Sequence, residues 1–359
     1  MKRVKVKDLT PGMIVAEDVY NFTDQLVLSK GTVLNEQAIT RLSLYSVLSV
    51  KIDDEAAFAP TNLTHKADDS YFEKVRSTRS FQFFQREFHQ QIDSFRTMIN
   101  DAVKKNSEFD ASEMLAGTLS LVERANNAPS LLNMLHSMRD YDDCTYVHSL
   151  NVALLCNILA QWMDLSDEDI QLATLCGLLH DIGKLEIPDE ILNKPARLSL
   201  QEYKTVQEHA RKGYDILCNQ PVNDHVKNAA LMHHERCDGS GYPLHLTAEK
   251  IDYYAKMVAI ADVYDAMTSV RAYRGAICPF KVIEAFEDDG FQLYDPDMIM
   301  TFLTHIANSY IQTTVELTDG RKGKIVYINK EHLSKPTVQI GKKFVDLSKT
   351  KGLHIEAMT

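Results

Sequence analysis

At 359 residues the chain is long enough for roughly two or three domains of ~150 residues, which excludes a peptide or mini-protein. Hydrophobic residues make up 45% and charged residues 25%, the balance of a folded globular protein rather than a disordered or fibrous one. Thirty-nine Lys and Arg against fifty Asp and Glu leave a net charge of -11, which disfavours long nucleic acid as a partner.

Met1 to Lys7 alternates charge with Val and lacks the apolar run of a signal peptide. Six cysteines without a CxxC pair fit reduced thiols in a cytoplasm. Residues 1–53 read as a small β-rich regulatory or docking module. Val4 and Val6 alternate, Pro11-Gly12 and Lys30-Gly31 mark turns, a helix is predicted over Gln37 to Leu44, and a strand over Val47 to Ile52. Residues 54–75 have a linker's composition.

Residues 76–124 form a long helical segment in which Phe81, Phe84, Phe88, Ile92, Phe95, Ile99 and Ala102 recur at three- and four-residue steps. That stripe must be buried, either against the chain's own core or against a second copy as a homodimer seam through the 81–102 helix. Residues 125–312 continue as helices, with breaks at Asn126-Asn127, Pro188, Pro195 and Pro221 and capping boxes at Ser166 and Ser199. The uncharged run from Cys144 to Met163 carries too many polar residues for a membrane span. Residues 313–359 return to β structure, with a hairpin turn at Thr318-Asp319-Gly320-Arg321 and strands at Lys324–Ile328 and Thr337–Ile340.

The chemistry-bearing residues lie in the helical region. His148, His180, His209, His233, His234, Asp181 and Asp262 fall on or beside apolar helix faces. His148 alone would read as a satisfied core histidine, but five inward histidines and two inward carboxylates are hard to satisfy singly. A shared metal centre satisfies them together. Imidazole and carboxylate without thiolate suit iron, manganese or zinc, and seven ligands point to two ions sharing the Asp181 carboxylate.

The motifs His180-Asp181-Ile182-Gly183-Lys184 and His233-His234-Glu235-Arg236-Cys237-Asp238-Gly239-Ser240-Gly241-Tyr242-Pro243 resemble the HD-GYP family of bacterial metal-dependent phosphodiesterases of cyclic dinucleotides. The likeness extends through Tyr146–Ser149, His209 and the stretch from Ala261 to Arg274. It covers about 125–312 and implies a mainly α, HD-type helical bundle flanked by small β-rich N- and C-terminal modules. It assigns one ion to His148, His180, Asp181 and Asp262 and a second to Asp181, His209, His233 and His234. Iron or manganese is expected, with zinc, nickel or cobalt acceptable in a purified sample. Cys144 stands where some members carry a glutamate for a third metal, and it reads as an ordinary thiol.

The implied reaction is attack by a metal-bridging hydroxide on a phosphorus of cyclic di-GMP, giving linear pGpG, with GMP if a second cut follows. Asp181 and Lys184 are then catalytic. Lys184, Arg271 and Arg274 meet phosphates, against the alternative of surface charges, and Ala272 replaces the family's usual proline. Gly241 lets backbone approach substrate, and Tyr242 either faces it or packs on its own loop. Asp265 either orders a histidine ligand or bonds backbone. The resemblance also implies that the GYP loop docks diguanylate cyclase (GGDEF) domains. Hydrolysis of 3'3'-cyclic GMP-AMP is the alternative activity, and a non-catalytic dinucleotide receptor or scaffold the alternative class.

Overall fold

The computed structural model describes residues 2–6, 9–20, 26–45, 47, 49–53, 67–105, 107–125, 127–138, 144–192, 194, 199–268 and 277–359. At the N-terminus β1 (Lys2–Lys5), β2 (Val19–Tyr20), β3 (Leu26–Leu28), α1 (Glu36–Leu44) and β4 (Ser49–Ile52) enclose a core of their own that includes Leu9, Val15, Ile39, Leu42 and Val50. The strands pair antiparallel as β1-β4 and β2-β3. Gly12 and Gly31, at φ of 93° and 82°, make the expected turns.

Helix α2 (Ala67–Arg76) occupies part of the stretch whose composition suggested a linker. It forms because Phe72 is buried and the Tyr71 hydroxyl donates to Asn133 Oδ1 at 3.0 Å, tertiary contacts that a local reading cannot see. The 27-residue α3 (Arg79–Lys105) buries all seven stripe residues, none more than 8% exposed, against α4 (Ala111–Arg124) and α6 (Cys144–Trp162). Phe95 meets Tyr146 edge to face at 5.9 Å. The chain's own core therefore occupies the stripe, the first of the two readings.

The bundle continues with α5 (Ala128–Ser137), α7 (Asp167–Leu179), a 3-10 turn (Ile182–Glu186), α8 (Asp189–Leu192), α9 (Leu200–Cys218), α10 (Asp224–Met232) and α11 (Tyr253–Thr268). Ser166 caps α7, and Ser199 with Glu202 forms a reciprocal capping box on α9, so both helices start where their sequences predict. The polar residues of α6 are used internally: Asn157 donates to Thr174 at 2.9 Å and Asn151 to Asp265 at 2.9 Å. Among the described residues, no helix is long and apolar enough to cross a membrane.

Helix α12 (Pro279–Ala285) runs into a π turn (Phe286–Gly290), followed by α13 (Phe291–Leu293) and α14 (Pro296–Ser309). The π turn touches both flanking modules. Asp289 pairs with Arg41 of α1 at 3.0 Å, and Glu287 accepts from the Leu333 N–H at 2.5 Å and from Ser334. The C-terminal module is a five-stranded antiparallel sheet in the order β8-β7-β6-β5-β9, formed by β5 (Thr314–Leu317), β6 (Lys322–Asn329), β7 (His332–Ile340), β8 (Lys343–Asp346) and β9 (Ile355–Met358). Gly320, at φ 81°, makes the predicted β5–β6 hairpin. The mainly α architecture with β modules at both ends is the one expected.

Candidate metal centre

Six helical segments converge on one carboxylate. His148 comes from the second turn of α6, His180 ends α7, and Asp181 follows at the entry to the 3-10 turn. His209 lies in the middle of α9, His233 ends α10 with His234 next, and Asp262 sits on α11. Asp181 Oδ2 lies 3.3 Å from His180 Nε2 and 3.7 Å from His148 Nε2. Its other oxygen, Oδ1, lies 3.4 Å from His209 Nε2 and 3.7 Å from His233 Nε2. All seven expected ligands are thus gathered. They fall into the groups His148-His180-Asp262 and His209-His233-His234, each with its donor atoms within 4.8 Å of one another, and Asp181 faces both.

Hydrogen bonding sets which ring nitrogens face inward. His180 Nδ1 donates to the Gly177 carbonyl at 2.7 Å, His209 Nδ1 to Val206 at 2.6 Å, and His233 Nδ1 to Ala230 at 3.0 Å. A carbonyl only accepts, so Nδ1 carries the proton, and in a neutral ring Nε2 is left with a lone pair. Burial pushes His209 down to about 4 and drives His233 and His234 well below the usual histidine range, where neighbouring rings reinforce it. His209 and His233 therefore turn lone pairs toward each other across 3.3 Å with no proton between them. His180 Nε2, Asp181 Oδ1 and His234 Nδ1 are buried without a hydrogen-bond partner. Buried, mutually repelling acceptors around a carboxylate are a chemical fit for cations.

His148 differs because both of its nitrogens face carboxylates: Nδ1 meets Asp265 at 2.7 Å and Nε2 meets Asp262 at 3.0 Å. Burial opposes its charge, but these two partners raise it to about 9. Burial likewise works against the charged forms of Asp181 and Asp262. Lys184 and His180 nevertheless hold Asp181 well below the usual carboxylate range, and His148 does the same for Asp262. Lys184 Nζ donates to Asp181 Oδ2, so its ammonium rests on the shared carboxylate.

Tyr242 is buried, with its ring stacked on His234 at 4.6 Å and 24°, and a Cβ at Gly241 would lie 2.3 Å from Glu235 Cα. One face of the Tyr242 ring is thus taken up by a histidine of the cluster. Arg271 and Arg274, and the side chain of Cys144, lie outside the described residues. Two residues that sequence reasoning passed over support the site. Glu235 accepts from the Leu244 and Leu246 N–H groups at 2.6 and 2.9 Å, and Arg236 donates to the His233 and Glu235 carbonyls at 3.3 and 2.9 Å. Their place beside the paired histidines was the available signal.

Residues 113–298 match the family model described as HD domain. A cyclic di-GMP phosphodiesterase of Pseudomonas aeruginosa is 36% identical over 214 residues, 59% of this chain and 51% of that one. A cyclic di-GMP phosphodiesterase of Thermotoga maritima is 38% identical over 178 residues, 48% of this chain and 47% of that one. The 3'3'-cGAMP-specific phosphodiesterase 1 of Vibrio cholerae is 44% identical over 136 residues, 37% of this chain and 31% of that one. The chain spans about half the length of the first two of these curated relatives. With the HD-domain match extending over more than half of its length, and with the HD and GYP motifs on one carboxylate-centred cluster, the chain belongs to the HD domain family.

Proposed function

We propose that the chain is a metal-dependent phosphodiesterase that hydrolyses cyclic di-GMP to linear pGpG, with GMP as the product of a second cut. One observation carries this reading: two triads of buried donor atoms, His148-His180-Asp262 and His209-His233-His234, face the two oxygens of a single buried carboxylate, Asp181. His148, His180 and Asp262 would hold one divalent ion and His209, His233 and His234 the other, with one Asp181 oxygen for each. Imidazole and carboxylate donors favour iron or manganese. Such ions supply Lewis-acid stabilisation of charge on a phosphoryl oxygen and lower the pKa of water.

The protein's own groups do the rest. The carbonyl partners of His180, His209 and His233 keep their lone pairs aimed without reorganisation. Lys184, at the edge of the cluster and already beside Asp181, brings a cation to the scissile phosphate. Arg271 and Arg274 suit the second phosphate, since a guanidinium fork matches its oxygens. The substrate is supported by the cyclic di-GMP activity named for two relatives. The 3'3'-cyclic GMP-AMP alternative is favoured by the 44% identity to a relative named for that substrate. Five described cysteines are unpaired, which suits a cytoplasmic setting, and exposed Asp238 and Leu244 offer the GYP loop's outer side to a GGDEF domain.

The test is an anaerobic assay of iron- and manganese-loaded protein with both dinucleotides, products resolved by chromatography and metal counted in the same sample. Cleavage with about two metals per chain is expected and identifies the preferred substrate. Tight dinucleotide binding without product, at full metal occupancy, would make the chain a receptor or scaffold instead. His180→Ala with Asp181→Ala should abolish turnover and metal retention while keeping the helical signal.

A further inference from the structure

His234 is held differently from its neighbours. His148, His180, His209 and His233 are each oriented by a hydrogen bond at Nδ1, to Asp265 or to a carbonyl of the ring's own helix. His234 lies just past the end of α10, and its buried Nδ1 has no hydrogen-bond partner. On the cluster side its ring meets His233 at 4.1 Å and His209 at 5.0 Å, with Nδ1 3.9 Å from Asp262 Oδ2; its other support is Tyr242, stacked at 4.6 Å and tied back to the same residue by its backbone N–H, which donates to the His234 carbonyl at 3.2 Å.

The loop carrying Tyr242 is closed on Glu235. That carboxylate, 2% exposed, accepts the Leu244 and Leu246 N–H groups, and the Gly241 backbone lies directly on the Glu235 and Arg236 backbone, where a Cβ would come within 2.3 to 2.5 Å. The Gly239 N–H donates to the Arg236 carbonyl at 2.8 Å and the Ala248 N–H to Cys237 at 3.0 Å, completing a ring of bonds around the carboxylate. The loop has no freedom to lift Tyr242 while Glu235 holds both ends.

We infer that Tyr242 is a positioning residue for the metal ligand His234, and that Glu235 is the latch that keeps it there. The aromatic face does for His234 what a hydrogen bond does for the other four histidines. The hydroxyl is not needed for this, so Tyr242→Phe should substitute fully. This inference rests on the metal-centre reading above.

The test is titration of the metal-stripped full chain with manganese, free ion read by electron paramagnetic resonance, for the wild type and for Tyr242→Phe, Tyr242→Leu and Glu235→Gln. Two bound ions are expected in the wild type and in Tyr242→Phe. In Tyr242→Leu and Glu235→Gln one of the two should weaken by about tenfold, the scale seen when a ligand loses its outer support, with the helical circular dichroism retained. Should Tyr242→Leu fail to fold, Glu235→Gln gives the same reading, because it loosens the loop without emptying the space beneath it. Wild-type affinity for both ions in Tyr242→Leu and Glu235→Gln would overturn the inference, and so would equal losses in Tyr242→Phe and Tyr242→Leu. A wild type that binds no manganese would overturn the metal-centre reading itself.

Discussion

Gly183, in the turn after His180-Asp181, lies against the backbone of α9. A Cβ there would sit 2.0 Å from the His209 carbonyl oxygen, 2.4 Å from the Gly213 nitrogen and 2.9 Å from Gly213 Cα. All three are main-chain atoms, so no rotamer change relieves the contact. Against an ordinary separation of about 3.5 Å, the turn and α9 must part by roughly 1 to 1.5 Å. Overpacking of this kind costs about 1–3 kcal/mol, and with backbone on one side and a turn on the other the upper end applies. Gly183→Ala should therefore melt on the order of 10 °C lower. Because α9 carries His209, whose Nε2 is 3.4 Å from Asp181, the variant should also hold metal 10- to 100-fold more weakly. Melting in chelator measures the first effect and manganese titration the second. Gly117→Ala is the control. Its Cβ would also fall 2.0 Å from an atom, but that atom is Gln91 Oε1, the far end of a flexible side chain, and little cost is expected. Wild-type melting and metal affinity in Gly183→Ala would refute the claim that this backbone contact sets the distance between the two triads.

Three further outcomes are expected. Metal must displace the proton that His148 keeps up to about 9, so apparent manganese affinity should rise by about tenfold per pH unit between 7 and 9 from this group and level off above it; a flat profile would exclude His148 as a ligand. Asp265→Ala strands His148 Nδ1 and the Asn151 amide, which should destabilise the fold by about 1–3 kcal/mol for each group and weaken metal binding, read by melting and by the same titration. His136, buried between the Tyr264 and Tyr310 hydroxyls, is pushed by burial down to about 4. Its folded-state value lies below its unfolded one, so stability present above pH 6.5 is lost as pH falls toward 4, by about 3 kcal/mol from this group. Urea melts across that range should show a shallower slope in His136→Phe.

The parts of this molecule that were legible from the chain are those whose causes are local. Ser199 with Glu202, and Asp319-Gly320, act within a few residues, and the capped helix and the hairpin are where they were expected. The inward histidines are similar, since the carbonyls of Gly177, Val206 and Ala230 that aim three of them stand three residues upstream on the same helices. The fourth is aimed by Asp265, 117 residues from His148, and nothing in the spacing joins them. The same limit applies to Glu235, whose side chain reaches 9 and 11 residues along a loop with no periodic signal. Helix α2 was hidden because its own residues are polar and its support, Asn133, lies on α5. For the stripe on α3, periodicity established burial, while only the packing on α4 and α6 could say against what.

That packing governs how such a chain can be recombined. The HD-domain match begins at residue 113, after α3 has ended at Lys105. A gene fusion joined at that boundary would deliver all seven residues of the histidine–aspartate cluster and leave behind Phe81, Phe84, Phe88, Ile92 and Ile99, each of them 1% exposed or less. Every one of those side chains takes roughly 2 kcal/mol of burial with it, and their counterparts on α4 and α6 would face water. An exchange of N-terminal modules that preserves the bundle must instead join ahead of Ala67, where α2 begins. The unit of inheritance is longer than the unit of alignment, and it is phenylalanines far from the chemistry that set its length.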